Sequence, residues 1–94
     1  MILIFGGTTE GRTAAETLDE AGQPFYYSTR GTLQEVTCRN MTRLTGNMDS
    51  EKIISFCREH DIRLIIDAAH PFAQQLHLNI FLAAKELTIK VVRL

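Results

Sequence analysis

The chain has 94 residues, of which 45% are hydrophobic and 22% are charged, and its formal net charge is -1. This composition is typical of an ordinary globular domain and excludes the disordered, collagen-like and disulfide-rich classes. The near-neutral charge gives no electrostatic footprint for nucleic acid, and no apolar run approaches the ~20 residues of a membrane span, so we predict no nucleic-acid and no membrane partner.

The cysteines and the amino-terminal residues bear on metal content and cellular compartment. Cys38 and Cys57 belong to no CxxC pair and have no histidine at metal-ligand spacing. We therefore predict reduced thiols and no metal site. The run "ILIF" is shorter than a signal-peptide core and follows no basic segment, so we predict a cytoplasmic location.

Strand and helix patterns alternate through the first half of the chain. Ile2 to Phe5 is a continuous apolar run, which is typical of a strand buried on both faces. A helix is predicted from Glu10 to Ala21, with Gly22 at the position where a glycine ends a helix. The aromatic segment "PFYYSTRG" predicts a second strand. The polar stretch after it predicts only a short strand near Met41 to Leu44, at an edge of the sheet.

The second half repeats the alternation. After the turn segment "GNMD", a helix capped by Asp49 or Ser50 is predicted to run to about His60. Leu64 to Ile66 is the second strongly apolar strand and ends at Asp67.

A long helix and a last strand complete the pattern. The helix is predicted from Phe72 to Leu87, with Pro71 at its start. Its inward stripe has spacings of three and four and comprises Phe72, Leu76, Ile80, Ala83 and Leu87. The segment "IKVVRL" predicts the last strand.

This alternation predicts right-handed crossovers and a parallel sheet. The two most apolar strands should be central neighbours, so we predict an α/β fold with three layers. Its core is a Rossmann-like doubly wound parallel sheet with strand order 3-2-1-4-5. Residues 1–94 are expected to form one nucleotide-binding domain. Ligands bind such sheets beyond the carboxyl ends of the strands, here between the loops that begin at Gly6 and Asp67.

The first of these loops contains "GGTTEG", in which Gly6, Thr8 and Gly11 occupy the three glycine positions of a GxGxxG fingerprint. Gly6 and Gly7 permit a tight turn, and Gly11 permits close helix packing. The amides that open the helix can bind a pyrophosphate, and the Thr8 hydroxyl adds a donor for a phosphate oxygen. The alternative is a strand-to-helix turn that needs glycine without any ligand, with Glu10 complementing the helix dipole.

The end of the second strand distinguishes NADP from NAD. NAD-binding sheets place an acidic residue about 20 residues beyond the first glycine, where it accepts from the ribose 2′-hydroxyl. This chain has Ser28, Thr29 and Arg30 there, and such hydroxyls and a guanidinium suit a 2′-phosphate. We therefore predict NADP. In the alternative, Arg30 is a solvated strand-end residue, and Arg12 is either a second phosphate contact or a surface charge.

His70 lies in the second loop, within "IIDAAHPFA", on the ligand side of the sheet. Histidine titrates near physiological pH, which permits a role as proton donor or hydrogen-bond partner near the reacting centre. A loop or capping role without catalysis is the alternative.

Together these segments resemble one enzyme family. The segments "ILIFGGTTEGR", "GNMD", "IDAAHPFA" with Asn79 following, and "VVRL" look like precorrin-6A reductase, the NADPH-dependent enzyme of cobalamin biosynthesis. The resemblance spans essentially all 94 residues, and "DAxHPFA" with "GGTxEGR" is more specific than a generic Rossmann fingerprint. It implies hydride transfer from NADPH to a tetrapyrrole substrate, precorrin-6A or its cobalt-containing equivalent.

The resemblance also implies roles for particular residues. It implies cofactor contacts at Gly7, Thr8, Thr9 and Arg12, a 2′-phosphate site near Ser28 and Arg30, and a nicotinamide or substrate edge at Asp67, His70 and Asn79. With the glycine pattern, the candidate cofactor-binding residues are Gly6, Gly7, Thr8, Thr9, Gly11, Arg12, Ser28, Arg30, Asp67 and Asn79. His70 is the candidate catalytic residue.

The chain departs from the family pattern in two ways. Family members continue past the strand that matches "VVRL" into a second domain, and His77 stands where a small hydroxyl residue is expected. Because a macrocycle cleft needs two walls, a second domain or subunit is expected to complete it. Two functions stay open: the cofactor-binding half of the reductase, and an NADP-binding module or subunit without catalysis of its own.

Overall fold

A computed structural model describes residues 1–31 and 36–94 of the chain. Their strands form one five-stranded sheet in the order β3-β2-β1-β4-β5, and all neighbouring strands are parallel. The strands are β1 (Ile2–Phe5), β2 (Phe25–Thr29), β3 (Met41–Thr45), β4 (Leu64–Asp67) and β5 (Lys90–Arg93). The helices are α1 (Thr9–Glu20), α2 (Ser50–Glu59) and α3 (Gln74–Leu87). The predicted α/β fold and strand order are confirmed.

The central strand β1 shows why helices cover both faces of the sheet. Leu3 and Phe5 pack with buried residues of α2 and α3, whereas Ile4 packs with Ala15 of α1. Successive side chains of a strand point to opposite faces, so a continuous apolar run needs apolar partners on both sides. The sheet therefore lies between α1 on one face and α2 and α3 on the other, which gives the predicted three layers.

Capping residues explain where α1 and α2 begin and where α1 ends. The Thr8 hydroxyl accepts from the Gly11 amide at the start of α1, and the Asp49 carboxylate accepts from the Lys52 amide at the start of α2. Gly22 follows α1 with a φ of 70°, a left-handed conformation that glycine adopts at low cost. The predictions that Asp49 caps a helix and that Gly22 ends one are confirmed.

The start of α3 differs from the prediction. The Ala73 amide donates to the His70 carbonyl at 2.9 Å, which closes a turn with Pro71 at its second position, where the fixed φ of proline is favourable. The helix begins only at Gln74. Because the turn directs Phe72 outward and leaves it 84% exposed, its predicted place on the inward stripe is wrong. The other stripe residues, Leu76, Ile80, Ala83 and Leu87, pack in the core as predicted.

The edge strands β3 and β5 are more exposed than the central strands. Neither strand contains a fully buried residue. β3 lies at one edge of the sheet, which confirms the short edge strand predicted near Met41 to Leu44. Polar edges disfavour pairing with other chains. Within the described ranges, no helix is both long enough and apolar enough to cross a membrane.

Candidate functional site

A cleft of about 820 Å³ lies at the carboxyl ends of the parallel strands. This volume falls within the roughly 300–1,000 Å³ of small-molecule and cofactor sites. Its position is where the strand order reverses and where sheets of this kind bind ligands. The predicted site residues that line it are Gly6, Gly7, Ser28, Arg30, His70 and Asn79. The cleft thus brings together parts of both loops and the end of β2.

The glycine loop, residues 6–8, is built around the buried side chain of Tyr27. The Gly7 amide donates to the Tyr27 hydroxyl at 3.2 Å. A Cβ atom at Gly6 would overlap the Tyr27 ring, and one at Gly11 would lie 3.0 Å from the Cα of Gly6. Burial raises the pKa of Tyr27, so its phenol is protonated at neutral pH. Two of the glycines therefore serve close packing, and Gly7, with a φ of 102°, supplies the turn.

The Thr8 side chain is engaged within the protein. Its hydroxyl donates to the Ala68 carbonyl at 2.5 Å and accepts from the Gly11 amide at 3.1 Å. A hydroxyl has one hydrogen to donate, and here it points to the loop that follows β4. Donation from the Thr8 hydroxyl to a phosphate would require this hydrogen bond to break, and it stays a prediction. The side chain instead joins the two loops that border the cleft.

The hydroxyls of Ser28 and Thr29 lie on opposite faces of the sheet. Ser28 Oγ lies 3.9 Å from the sulfur of Met48, on the side of α2. Thr29 Oγ1 donates to the Gly31 carbonyl and accepts from the Arg43 guanidinium at 3.3 Å. Neighbouring strand residues face opposite sides, and at the end of β2 both residues line the cleft. The interpretation of the two hydroxyls and Arg30 as a phosphate receptor stays a prediction.

Arg30 lies exposed at the end of β2, and Asn47 orients it. Arg30 Nε donates to Asn47 Oδ1 at 3.0 Å, and both residues line the cleft. The bond uses one of the five N–H donors of the guanidinium. The segment "GNMD" predicts only a turn by its residue types, so Asn47 is not among the predicted site residues. Arg12 lies exposed on α1, outside the cleft lining.

Asp67 and His77 form a buried pair beneath the second loop, residues 68–73. His77 Nδ1 lies 2.6 Å from Asp67 Oδ2, and the two side chains are 10% and 3% exposed. Asp67 Oδ1 accepts from the Ala69 amide at 3.2 Å, and His77 Nε2 lies 2.9 Å from the His70 carbonyl oxygen. Both carboxylate oxygens thus bond within the protein, which separates Asp67 from the cleft edge where the family resemblance implied a contact.

His70 lies above this pair, exposed at the cleft. Its Nδ1 accepts from the Phe72 amide at 3.2 Å, and its ring centre lies 4.9 Å from that of Phe72. A neutral imidazole whose Nδ1 accepts carries its hydrogen on Nε2. Asn79 also faces the cleft, and its Oδ1 accepts from Gln75 at 3.0 Å. The second loop therefore presents an N–H donor, His70 Nε2, beside an amide side chain.

Comparison with known proteins identifies the family. The family model described as precorrin-6x reductase CbiJ/CobK matches residues 1–94. The chain belongs to this family. Relatives include cobalt-precorrin-6A reductase of Priestia megaterium, 30% identical over 95 residues, and precorrin-6A reductase of Sinorhizobium sp., 33% identical over 98 residues. Each alignment covers 99% of this chain, but only 37% and 36% of these relatives, respectively.

Solved structures agree with this assignment. The structure of CobK precorrin-6A reductase matches with a TM-score of 0.87 and 25% identity, over 98% of this chain and 37% of that chain. UDP-D-quinovosamine 4-dehydrogenase from Vibrio fischeri matches with a TM-score of 0.64 and 18% identity, over 99% of this chain and 75% of that chain, and shows the shared fold alone. The comparisons confirm the resemblance to precorrin-6A reductase, a family of cobalamin biosynthesis. The chain spans little more than a third of the length of these relatives.

Proposed function

We propose that this chain is the NADP-binding part of an enzyme that uses NADPH to reduce a tetrapyrrole of the precorrin-6A or cobalt-precorrin-6A type. The observation that carries the proposal is the shared cleft, which Gly7, Arg30 and His70 border together at the carboxyl edge of the sheet. Family membership supports a reductase, and the Rossmann-like sheet supports a nicotinamide dinucleotide. A cytoplasmic location is part of the proposal, since the family is biosynthetic.

The glycine loop fits a dinucleotide diphosphate. Apart from Gly7 and its two chain neighbours, no described residue has an atom within 4 Å of the position that a Cβ at Gly7 would take, so the outer side of the loop can admit a ligand. The amides of Thr9 and Glu10 open α1 without intrahelical acceptors, and a helix amino terminus favours anions. We assign the diphosphate to these two amides, because the Gly7 amide and the Thr8 hydroxyl bond within the protein.

Arg30 supports NADP in preference to NAD. Its guanidinium follows β2, where NAD-binding sheets carry a carboxylate for the ribose, and its bond to Asn47 holds it at the cleft wall. We assign the 2′-phosphate to Arg30, with Ser28 in the wall beside it. Hydrogen bonds between ionised groups are about twice as strong as neutral ones, so this contact can determine cofactor choice. Arg12 is a second candidate cation for the phosphates.

His70 and Asn79 are assigned to the nicotinamide and substrate end of the cleft. Reduction of a carbon–carbon double bond needs a hydride, which bound NADPH would supply, and a proton. The neutral ring of His70 presents Nε2–H as a hydrogen-bond donor to the ligand. It would supply a proton only as the imidazolium, in which Nδ1 no longer accepts from the Phe72 amide. Asp67 would act through the second loop rather than by touching the ligand.

A second domain or subunit is proposed to form the other wall of the cleft. Leu78, Phe81 and Leu82 lie at helical spacing on one face of α3 and are 49%, 61% and 45% exposed. Exposed apolar patches mark interaction surfaces. The relatives have nearly two-thirds of their length outside the alignment with this chain, which is consistent with such a wall.

The test of the proposed function measures NADPH consumption. Purified protein is mixed with NADPH and precorrin-6A or cobalt-precorrin-6A, and the NADPH absorbance is followed. Loss of absorbance that depends on the tetrapyrrole supports the reductase. Because the cleft needs a second wall, lack of turnover by this chain alone is expected under both functions. Saturable NADPH binding without turnover when the second domain or subunit is supplied favours the alternative, a non-catalytic NADP-binding module or subunit. If neither NADPH nor NADH binds, both proposed functions are rejected.

Arg30→Ala tests the cofactor preference. Loss of a charged hydrogen bond of about 1.5–3 kcal/mol would weaken NADP binding roughly 10- to 150-fold relative to NAD binding. Arg58→Ala is the matched control, because Arg58 is an exposed arginine whose salt bridge to Glu86, at 3.9 Å, lies away from the cleft. Equal weakening of NADP and NAD binding by Arg30→Ala would remove the 2′-phosphate assignment.

A further inference from the structure

We propose that His77 is a positioning residue that shares a proton with Asp67 and, through the His70 carbonyl, sets the direction of the His70 side chain. The proposal rests on the proposed function, because it concerns the same cleft. Its geometric part concerns only residues of this chain and is testable without cofactor or substrate.

The two ring nitrogens of His77 each face an acceptor oxygen. Nε2 lies 2.9 Å from the His70 carbonyl oxygen, which can only accept, so Nε2 carries a hydrogen. Nδ1 lies 2.6 Å from Asp67 Oδ2, and this contact needs a second hydrogen between the two atoms. The pair therefore holds both protons, as an imidazolium beside a carboxylate or as an imidazole beside a carboxylic acid.

Burial protects this pair from competing water. The His77 and Asp67 side chains are 10% and 3% exposed. Removal of one partner would therefore leave the other polar group buried without its hydrogen-bond partner, which is destabilising. The Ala69 amide donates to the remaining oxygen of Asp67 at 3.2 Å, so the carboxylate bonds the loop directly as well as through His77.

The pair connects a rigid helix to the residue that faces the cleft. His77 lies in the first turn of α3, and its amide donates to the Ala73 carbonyl at 3.0 Å. The His70 carbonyl receives both His77 Nε2 and the Ala73 amide, while His70 Nδ1 receives the Phe72 amide. These bonds fix the backbone and the ring of His70 together, which leaves its Nε2–H as the outward donor.

A direct catalytic role does not suit His77. Both of its ring nitrogens bond within the protein, and its side chain is nearly buried. It does not line the cleft, whereas His70 does. Its contribution is therefore to hold His70 in place.

The first test is ¹⁵N NMR of the histidine rings in the wild-type chain at neutral pH. The proposal predicts a hydrogen on His77 Nε2, a second and slowly exchanging hydrogen in the contact between His77 Nδ1 and Asp67 Oδ2, and the Nε2–H tautomer at His70. A His77 ring with a single hydrogen and no Asp67 proton bridge would overturn the proposal. This measurement requires no variant, so a variant that fails to fold does not leave the question open.

The second test compares variants by amide hydrogen exchange. His77→Leu should speed exchange of the Ala69 and Phe72 amides about 10-fold or more, relative to the amides of β2, because the loop opens locally. His77→Gln keeps one donor and should recover part of the protection. His60→Gln, which removes a histidine bonded to Tyr26, should leave the loop unchanged. Unaltered loop exchange in a folded His77→Leu protein would overturn the proposal.

A kinetic readout separates this proposal from the proposed function. In a protein that turns over, His77→Leu should lower kcat about 10-fold while the KM for NADPH stays within about twofold, as expected for a misplaced catalytic group. A rise in the KM for NADPH as large as the fall in kcat would contradict the proposal that His77 positions His70. If no turnover or binding exists, the proposed function fails while the NMR and exchange results still decide the geometry of the pair.

Discussion

The two loops that border the cleft are held by different kinds of contact. The glycine loop after β1 is positioned by packing on the Tyr27 ring, and the groups proposed to bind a ligand there belong to the backbone. The second loop after β4 is positioned by the side chains of Asp67 and His77, and it offers the side chain of His70. The glycine motif thus predicts the backbone turn after β1, because each of its glycines has a steric role there. Side-chain composition does not reveal which side chains bond to each other and which face the ligand.

The largest effect on the glycine loop is expected from Gly6→Ala. Its Cβ would overlap the buried Tyr27 ring, and such overpacking costs up to about 3 kcal/mol of unfolding free energy. NADPH binding should be lost as the loop shifts. Denaturant unfolding and calorimetry measure the two effects.

Gly22→Ala is the control for that substitution. A Cβ at Gly22 meets no described atom within 4 Å, so only its left-handed backbone is strained, at a cost of about 1 kcal/mol. NADPH binding should be unchanged. Equal losses of stability in the two variants would show that the Tyr27 ring does not shape the loop.

Tyr27→Phe should have an intermediate effect. It removes the acceptor of the Gly7 amide, which lowers the unfolding free energy by about 1 kcal/mol and weakens NADPH binding several-fold. Tyr26→Phe is the matched control, because that hydroxyl bonds His60 Nδ1 at 3.0 Å, away from the cleft. NADPH affinities that fall equally in both variants would argue against a role of Tyr27 in the loop.

The smallest effect is expected from Thr88→Gly, at the end of the helix that carries His77. Thr88 has a φ of 57°, a left-handed conformation that is costly for a β-branched residue. Glycine should raise the unfolding free energy by about 0.5–1 kcal/mol, and NADPH affinity should be unchanged. A thermal unfolding midpoint below that of the wild type would contradict the strain at this position.

The sequence was sufficient for the fold because its signals are local and periodic. The apolar runs of β1 and β4 predict two buried, neighbouring strands at the centre of the sheet, and this placement predicts the strand order. The glycine after α1 predicts the end of that helix. The prediction for Phe72 is wrong because proline is favourable at the second position of a β-turn as well as at the first position of a helix. The opposite directions of Ser28 and Thr29 follow from strand alternation and could have been derived from the burial of Phe25 and Tyr27.

The Asp67–His77 pair could not be predicted from the sequence. The two residues belong to different elements, and their contact depends on where α3 begins after the loop. The engagement of the Thr8 hydroxyl with the Ala68 carbonyl has the same origin, because it depends on the approach of two loops 60 residues apart. Local patterns identify such groups but not their partners.

The most direct test of the account is calorimetric titration of the wild-type protein with NADPH and with NADH. The account predicts saturable binding of one NADPH per chain, with an affinity about 10-fold or more above that for NADH if Arg30 holds the 2′-phosphate. Absence of binding of both dinucleotides to well-folded protein would contradict it.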